Sequence, residues 1–273
     1  MVSGRDIIIR AASAAVLAPL AIAGLWLGGW AFAALMGAAA LLLSWEWAKM
    51  TAPGSAKWMA AAVAVGVIVP GLAVYLADIS LGLVLLSFGA ILAFLIAQAV
   101  RRSPIDAAYG VFYLGWPLVL LVWLRLSSEG GSWIILLFAV TWAADSFAYL
   151  VGSLLKGPKL WPRFSPNKTW SGFIGGLIGG AAMAMLLVAT GGGGYLTFSG
   201  VSLSLAAVIG LAGALATMAG DLWESALKRR YGVKDSGDLI PGHGGLLDRV
   251  DGLMFAVVVV AAIKLVVDLG LTA

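Results

Sequence analysis

The feature that most constrains this chain is the recurrence of long, uncharged apolar runs. Divided at charges and at Gly, Pro, Asn and Ser breaks, the sequence gives apolar spans at 11–27, 30–48, 58–77, 79–100, 106–126, 132–153, 170–190, 202–227 and 250–269. About 20 apolar residues in a helix match the hydrocarbon thickness of a bilayer. Backbone amides in hydrocarbon must be satisfied internally, so spanning segments are either helices or strands of a closed barrel. Barrel strands alternate polar and apolar residues, and no such alternation is visible. The expected fold is all-α, a polytopic integral membrane bundle of about nine transmembrane helices embedded in the lipid bilayer. The first two spans form one run broken only by Gly28 and Gly29, a tight but allowed loop between antiparallel helices.

Composition excludes the competing classes. Of 273 residues, 62% are hydrophobic and 11% charged, and the mean hydropathy is +1.03, more apolar surface than a soluble core of this length can bury. Low charge argues against disorder, and the lack of a Gly-X-Y period against collagen. The absence of cysteine removes disulfide scaffolds, thiol catalysis and thiolate metal sites. The net charge is only +4, and no nucleic-acid partner is expected.

Where the charges fall matters more than their sum. Of the 17 Lys and Arg residues, 15 lie in alternate loops: Arg5 and Arg10; Lys49 and Lys57; Arg101 and Arg102; Lys156, Lys159, Arg163 and Lys168; and Lys228, Arg229, Arg230, Lys234 and Arg249. Basic loops stay in the cytoplasm, so the N-terminus is expected there and the C-terminus outside, in a cytoplasmic (inner) membrane. Arg125 and Lys264 are the exceptions, near helix ends where long side chains snorkel. A signal peptide cleaved after Ala21-Ile22-Ala23 is the competing view of the N-terminus, but the apolar run continues well beyond it. The chain is expected to form a single membrane-embedded domain over 1–273, with N-terminal helices in 1–130 and a catalytic half in 131–273. That half contains cytoplasmic loops at 154–169 and 228–249. No internal repeat supports an inverted-repeat transporter.

Chemistry is concentrated in the second half. Residues 1–144 carry 12 charged side chains, whereas the 31 residues from Asp221 to Asp251 carry 11. Two solvated topogenic loops would explain the basic residues, but not the carboxylates at or inside spans: Glu46, Asp145, Asp221, Glu224, Asp248 and Asp251. An ionised group at the bilayer centre costs about 2.5–3.5 kcal/mol on insertion scales, so such residues mark polar cavities and function. Asp221, Glu224, Ser225 and Lys228 share one helical face, and Asp248 and Asp251 lie one turn apart if a helix begins near Leu246. Helix-end ion pairing is the plainer explanation. Oxygen ligands without cysteine and with one histidine suit a hard cation such as Mg²⁺ better than zinc.

In KGPKLWPRFSPNKTWSG the prolines stop helix formation, and Ser165, Asn167, Lys168, Thr169 and Ser171 precede a helix expected near Trp170. Donors, a lysine and a helix N-terminus make a potential anion site, although no Walker A spacing is present. His243, the only histidine, lies in PGHGG, where glycines admit close ligand approach. Its options are a polar contact to substrate or loop, favoured here, and direct metal ligation.

The run SALKRRYGVKDSGDLIPGHGGLLDRVDG, Ser225 to Gly252, resembles the signature of the phosphatidate cytidylyltransferase (CDP-diacylglycerol synthase) family. Ser225, Leu227, Lys228, Arg229, Lys234, Asp235, Gly237, Pro241, His243, Gly244, Gly245, Asp248, Arg249 and Asp251 fill its defining positions. ADSFAYLVG and SPNKTWSGFIGG resemble other shared stretches; Asn167 stands where many members have a basic residue. The resemblance covers essentially the whole chain. It implies a Mg²⁺-dependent membrane nucleotidyltransferase that makes CDP-diacylglycerol and pyrophosphate from CTP and phosphatidic acid. On that basis Asp221 and Asp248, which antiparallel packing of the last two spans would bring to one membrane depth, are assigned to the metal, with Asp145 and Asp251 as second choices, and Lys168, Lys228, Arg229, Lys234 and Arg249 to phosphates. Ser165, Asn167, Thr169, Ser225, Asp235, His243, Gly244 and Gly245 are assigned to substrate. A related lipid or polyprenyl-phosphate cytidylyltransferase or kinase is the runner-up, and an ion-coupled transporter the alternative from another class. Sequence alone leaves open a second, monovalent cation beside Mg²⁺ and a homodimer.

Overall fold

A computed structural model of the chain describes residues 24, 27–191, 196–239 and 244–271. Eight helices among them, of 21 to 28 residues, are long and apolar enough to cross a membrane. They are α1 (Gly29–Thr51), α2 (Ala56–Leu76, preceded by the short turn Pro53–Ser55), α3 (Ile79–Ala99), α4 (Pro104–Leu126), α5 (Gly130–Leu155), α6 (Trp170–Gly191), α7 (Leu203–Arg230) and α8 (Leu247–Asp268). Each coincides within a few residues with an expected span. The remaining span, 11–27, lies outside the described residues apart from Gly24 and Leu27, as do Arg5, Arg10 and His243.

Between α5 and α6 the chain forms an antiparallel hairpin, β1 (Lys159–Trp161) and β2 (Ser165–Thr169), pairing Lys159 with Thr169 and Trp161 with Ser165. From the sequence, this segment is expected as a helix-breaking loop that offers anion donors, with no strands. Strands this short show no alternation long enough to be read.

The helices present their greasy faces outward. On α3, Phe88, Ile91 and Leu95 are 63%, 57% and 54% exposed. On a helix long and apolar enough to cross a membrane, such a stripe suits lipid. Asp78 ends the polar turn before it, its carboxylate accepting the Leu81 N–H at 2.9 Å as an N-cap.

The described residues divide into two compact units. One comprises the chain through Trp123 together with Arg230–Arg249; the other comprises Leu124–Arg229 and the residues from Val250 onward. In the first, α2 and α3 touch through backbone at Gly66 and Gly89, where a Cβ on Gly89 would stand 2.7 Å from the Gly66 Cα. The fully buried Trp47 ring donates to the Asp106 carbonyl at 3.0 Å, and Gly110 leaves the ring its space.

In the second unit, α6 is pressed between neighbours by GFIGGLIGG. A Cβ on Gly172 would lie 2.7 Å from the Ala148 carbonyl oxygen of α5, and one on Gly176 2.8 Å from that of Ala144. A Cβ on Gly180 would lie 2.9 Å from the Gly210 carbonyl oxygen of α7. Small residues four apart let membrane helices approach to backbone contact, where dispersion replaces the missing hydrophobic drive. Away from these crossings, Glu129 accepts from Ser199 Oγ at 2.6 Å and Ser199 N at 2.9 Å. Burial opposes the ionised Glu129, but the bonds from Ser199, with Thr197 and the Lys264 charge, outweigh it and hold the carboxyl below its ordinary range. Lys264 does not snorkel as expected. It is 1% exposed, ion-paired to Asp268, bonded to Ser128 Oγ at 3.0 Å and 5.5 Å from the Trp133 ring centroid. Local partners supply what water would have.

Candidate active site

The second unit gathers most of the expected polar residues. Lys168, next to last in β2, is ion-paired to Asp221 of α7. The hairpin explains the placement: β2 delivers its last residues directly to the start of α6. Thr169 Oγ1 accepts the Gly172 N–H at 3.1 Å, capping that helix, while Ser171 Oγ donates to the Lys156 carbonyl. These two hydroxyls, expected to face an anion, are engaged in holding the hairpin to α6. Ser165 is half-buried in β2, and Asn167 is exposed.

Asp145 of α5 and Asp251 of α8 both lie within the electrostatic reach of Asp221 and of Lys168, and Asp251 also within that of Lys228. Their approach has a packing cause. A Cβ on Gly220 would meet the Asp251 carbonyl, and one on Gly252 would stand 2.7 Å from Thr217 Cγ2, so α7 and α8 cross there almost backbone to backbone. One turn beyond, Lys228 is ion-paired to Glu224, which is 1% exposed. Ser225 is half-buried and Arg229 exposed on the same helix. Four carboxylates and two ammonium groups thus share one neighbourhood. Like-charged carboxylates at such range repel unless cations stand among them. Among the described residues, no group of three or more His, Asp or Glu forms a ready metal cage.

The first unit holds the other half of the signature. Tyr231 donates to Asp106 Oδ1 at 2.8 Å, Arg230 lies 3.9 Å from the same oxygen, and Lys49 pairs with Asp238 at 3.3 Å. Burial, then the bond to Asp106, holds the Tyr231 phenol above its ordinary range. Lys234, Asp235 and Arg249 are exposed. Asp248 turns back onto its own loop, Oδ2 accepting from Gly245 N at 2.8 Å and from Ser236 N and Oγ at 3.0 Å each. It therefore acts first as a loop clasp at the entry to α8. Gly244, at φ +81°, takes a left-handed conformation whose Cβ position would be 3.0 Å from Asp248 Oδ2. Asp221 and Asp248, expected as a pair, belong to different units.

Two residues stand outside the sequence-derived site: Ser236 of this clasp, and Glu46, whose carboxylate accepts the N–H groups of Leu246 and Leu247. Ser236 has no distinguishing signal. Glu46 had one, a carboxylate inside an apolar run, but nothing local tells what it bonds to.

Comparison with known proteins agrees with the signature. A model of the cytidylyltransferase family matches residues 8–267. A phosphatidate cytidylyltransferase of Brucella abortus (strain 2308) is 39% identical over 255 residues, covering 90% of this chain and 89% of the relative. The enzyme of that name from Staphylococcus saprophyticus is 39% identical over 168 residues, 60% of this chain and 62% of its own. One from Staphylococcus aureus (strain COL) is 40% identical over 170 residues, with the same shares. With the signature residues in place and nearly the whole length matched, the chain belongs to the cytidylyltransferase family.

Proposed function

We propose that this membrane protein transfers the cytidylyl group of CTP to phosphatidic acid, giving CDP-diacylglycerol and pyrophosphate. The observation that carries the site assignment is the Lys168–Asp221 pair, with Asp145, Asp251 and Lys228 within electrostatic reach. In the reaction, an ionised phosphate oxygen of phosphatidic acid attacks the α-phosphorus of CTP. The bond from the α-phosphorus to the bridging oxygen breaks, and pyrophosphate leaves with its electron pair. The attacking oxygen is already anionic at neutral pH, so no strong general base is required. What the protein must supply is alignment and relief of charge on the departing pyrophosphate.

Lys168 and Lys228, ion-paired to Asp221 and Glu224, would do the second of these by exchanging a carboxylate partner for phosphate. Arg229, Lys234 and Arg249, exposed on polar segments, add positive charge for the triphosphate or the lipid headgroup. The donor set fits Mg²⁺, which typically takes one or two carboxylates and keeps waters and phosphates for the rest. Asp221 with Asp145 or Asp251 would hold it, and the bound ion would neutralise charge on the triphosphate. Asp248 remains a candidate ligand only by giving up donors of its loop.

The basic loops 154–169 and 228–249 face the cytoplasm in this reading, on the side where CTP is found, and the membrane is the cytoplasmic one. Purified protein given labelled CTP, phosphatidic acid and Mg²⁺ should yield labelled CDP-lipid on chromatography. Failure with phosphatidic acid but success with a polyprenyl phosphate would move the assignment to another acceptor lipid. Absence of any labelled lipid would refute cytidylyl transfer.

A further inference from the structure

Glu46 is the buried acid that this reaction does not use. It lies near the end of α1, 1% exposed, yet its two oxygens reach the start of α8. Oε1 accepts the Leu246 N–H at 2.7 Å and Oε2 the Leu247 N–H at 2.7 Å. Ser236 Oγ stands 3.5 Å from Oε2 while also donating to Asp248. The first amides of a helix have no partner within it, and their aligned dipoles favour an anion there. The neighbouring glycines are fitted to this carboxylate. A Cβ on Gly237 would lie 2.9 Å from Glu46 Oε1, with the other Glu46 side-chain atoms as its nearest neighbours, and one on Gly245 would lie 2.8 Å from the same oxygen. A helix nearly two hundred residues upstream therefore grips Ser236 as well as Leu246 and Leu247.

We propose that Glu46 is a positioning residue for the signature loop. It rests on the cytidylyl-transfer reading only in its kinetic consequence. By holding Ser236 and the amides of Leu246 and Leu247, Glu46 sets the backbone from which Lys234, Asp235, Asp248 and Arg249 project. Lys234 and Arg249 meet phosphate only if that backbone is in register. A carboxylate does this better than an amide, because both of its oxygens accept. Glutamine must turn an NH₂ toward one of the two N–H groups.

The test uses the full-length protein in lipid-containing micelles. Glu46→Gln should stay folded, raise the KM for CTP about tenfold or more and lower kcat, since small misplacements at a site carry penalties approaching 10²-fold. Amide exchange at Leu246 and Leu247 should accelerate while α2, α3 and α4 keep their protection. Gly237→Ala pushes on the same oxygen without removing it and should raise the CTP KM likewise. In a Glu46→Ala background that added methyl should cost nothing further, because the atoms it meets are gone. Wild-type kinetics in Glu46→Gln, or independent multiplying effects of Glu46→Ala and Gly237→Ala, would overturn the proposal. If Glu46→Gln does not fold, Gly237→Ala decides alone: a raised CTP KM supports positioning and wild-type kinetics overturns it. If the wild type makes no CDP-lipid, the exchange measurement still reads the grip, so failure of the reaction assignment is told apart from failure of the positioning role.

Discussion

The ammonium of Lys168 is ion-paired to the carboxylate of Asp221, a residue 53 positions further on in another helix. The pair joins the end of a short hairpin to the polar end of α7, and it puts a cation among carboxylates that would otherwise repel one another. A lysine in such a place can be drawn away by phosphate, provided something else then balances Asp221. A divalent cation entering with the nucleotide would do so.

Lys168→Ala should lower turnover about 10²-fold, on the scale of removing one preorganised electrostatic group. Lys57→Gln, which changes a basic residue outside the cluster, should leave turnover close to wild type. Rates of labelled CDP-lipid formation at saturating substrates compare the two. Equal effects would reduce Lys168 to a topological charge.

Asp221→Asn keeps the side chain's size and one oxygen but removes its charge. The variant should fold, lose most of its activity and need more Mg²⁺ to reach half its own maximum. Asp78→Asn, at the N-cap of α3, should leave the metal dependence unchanged because asparagine also caps helices. Mg²⁺ titrations of both purified variants supply the comparison. An unchanged midpoint in Asp221→Asn would move the metal to Asp145 and Asp251.

Gly180→Ala tests the helix crossings. Its Cβ would stand 2.7 Å from that of Ala214 and 2.9 Å from the Gly210 carbonyl oxygen, so α6 and α7 must part to admit it. Overpacking of this kind typically costs about 1–3 kcal/mol. The variant should melt earlier in detergent, while Gly131→Ala, whose Cβ would meet nothing within 4 Å, should not.

The Glu129–Ser199 contact should carry a pH signature. Its folded carboxyl titrates below the unfolded one, so the stabilisation is fully present above the unfolded pKa. It is lost as pH falls through the lowered folded value. Melting temperatures measured from neutral pH downward should therefore converge between wild type and Glu129→Gln at acid pH. A constant difference would show that ionisation of Glu129 contributes nothing.

Orientation can be read with single cysteines, since the chain has none of its own. An impermeant thiol reagent should label position 201 in intact cells, and positions 159 and 238, the latter with an 89% exposed side chain, only after permeabilisation. Labelling of 238 from outside would invert the plan.

Much of this protein was legible in one dimension. Hydrocarbon thickness and the cost of unpaired amides turn each apolar run into a helix, so α1 to α8 appear in the sequence with nearly their final ends. The signature from Ser225 to Gly252 named the chemistry because its residue types and spacing are locally encoded. The partners of each charge were not. Glu46 announces itself as an acid in an apolar run, but its bonds to Leu246 and Leu247 depend on the fold bringing distant backbone to it. Thr169 and Ser171 looked like free donors, and only the hairpin shows that they cap and brace α6. Lys264 looked like a snorkelling side chain until Asp268 and Ser128 were seen beside it. Hydrophobic length is a property of a segment and survives without context. A hydrogen bond or ion pair is a property of two segments, and its geometry exists only once glycines such as Gly172, Gly220 and Gly252 let the helices meet.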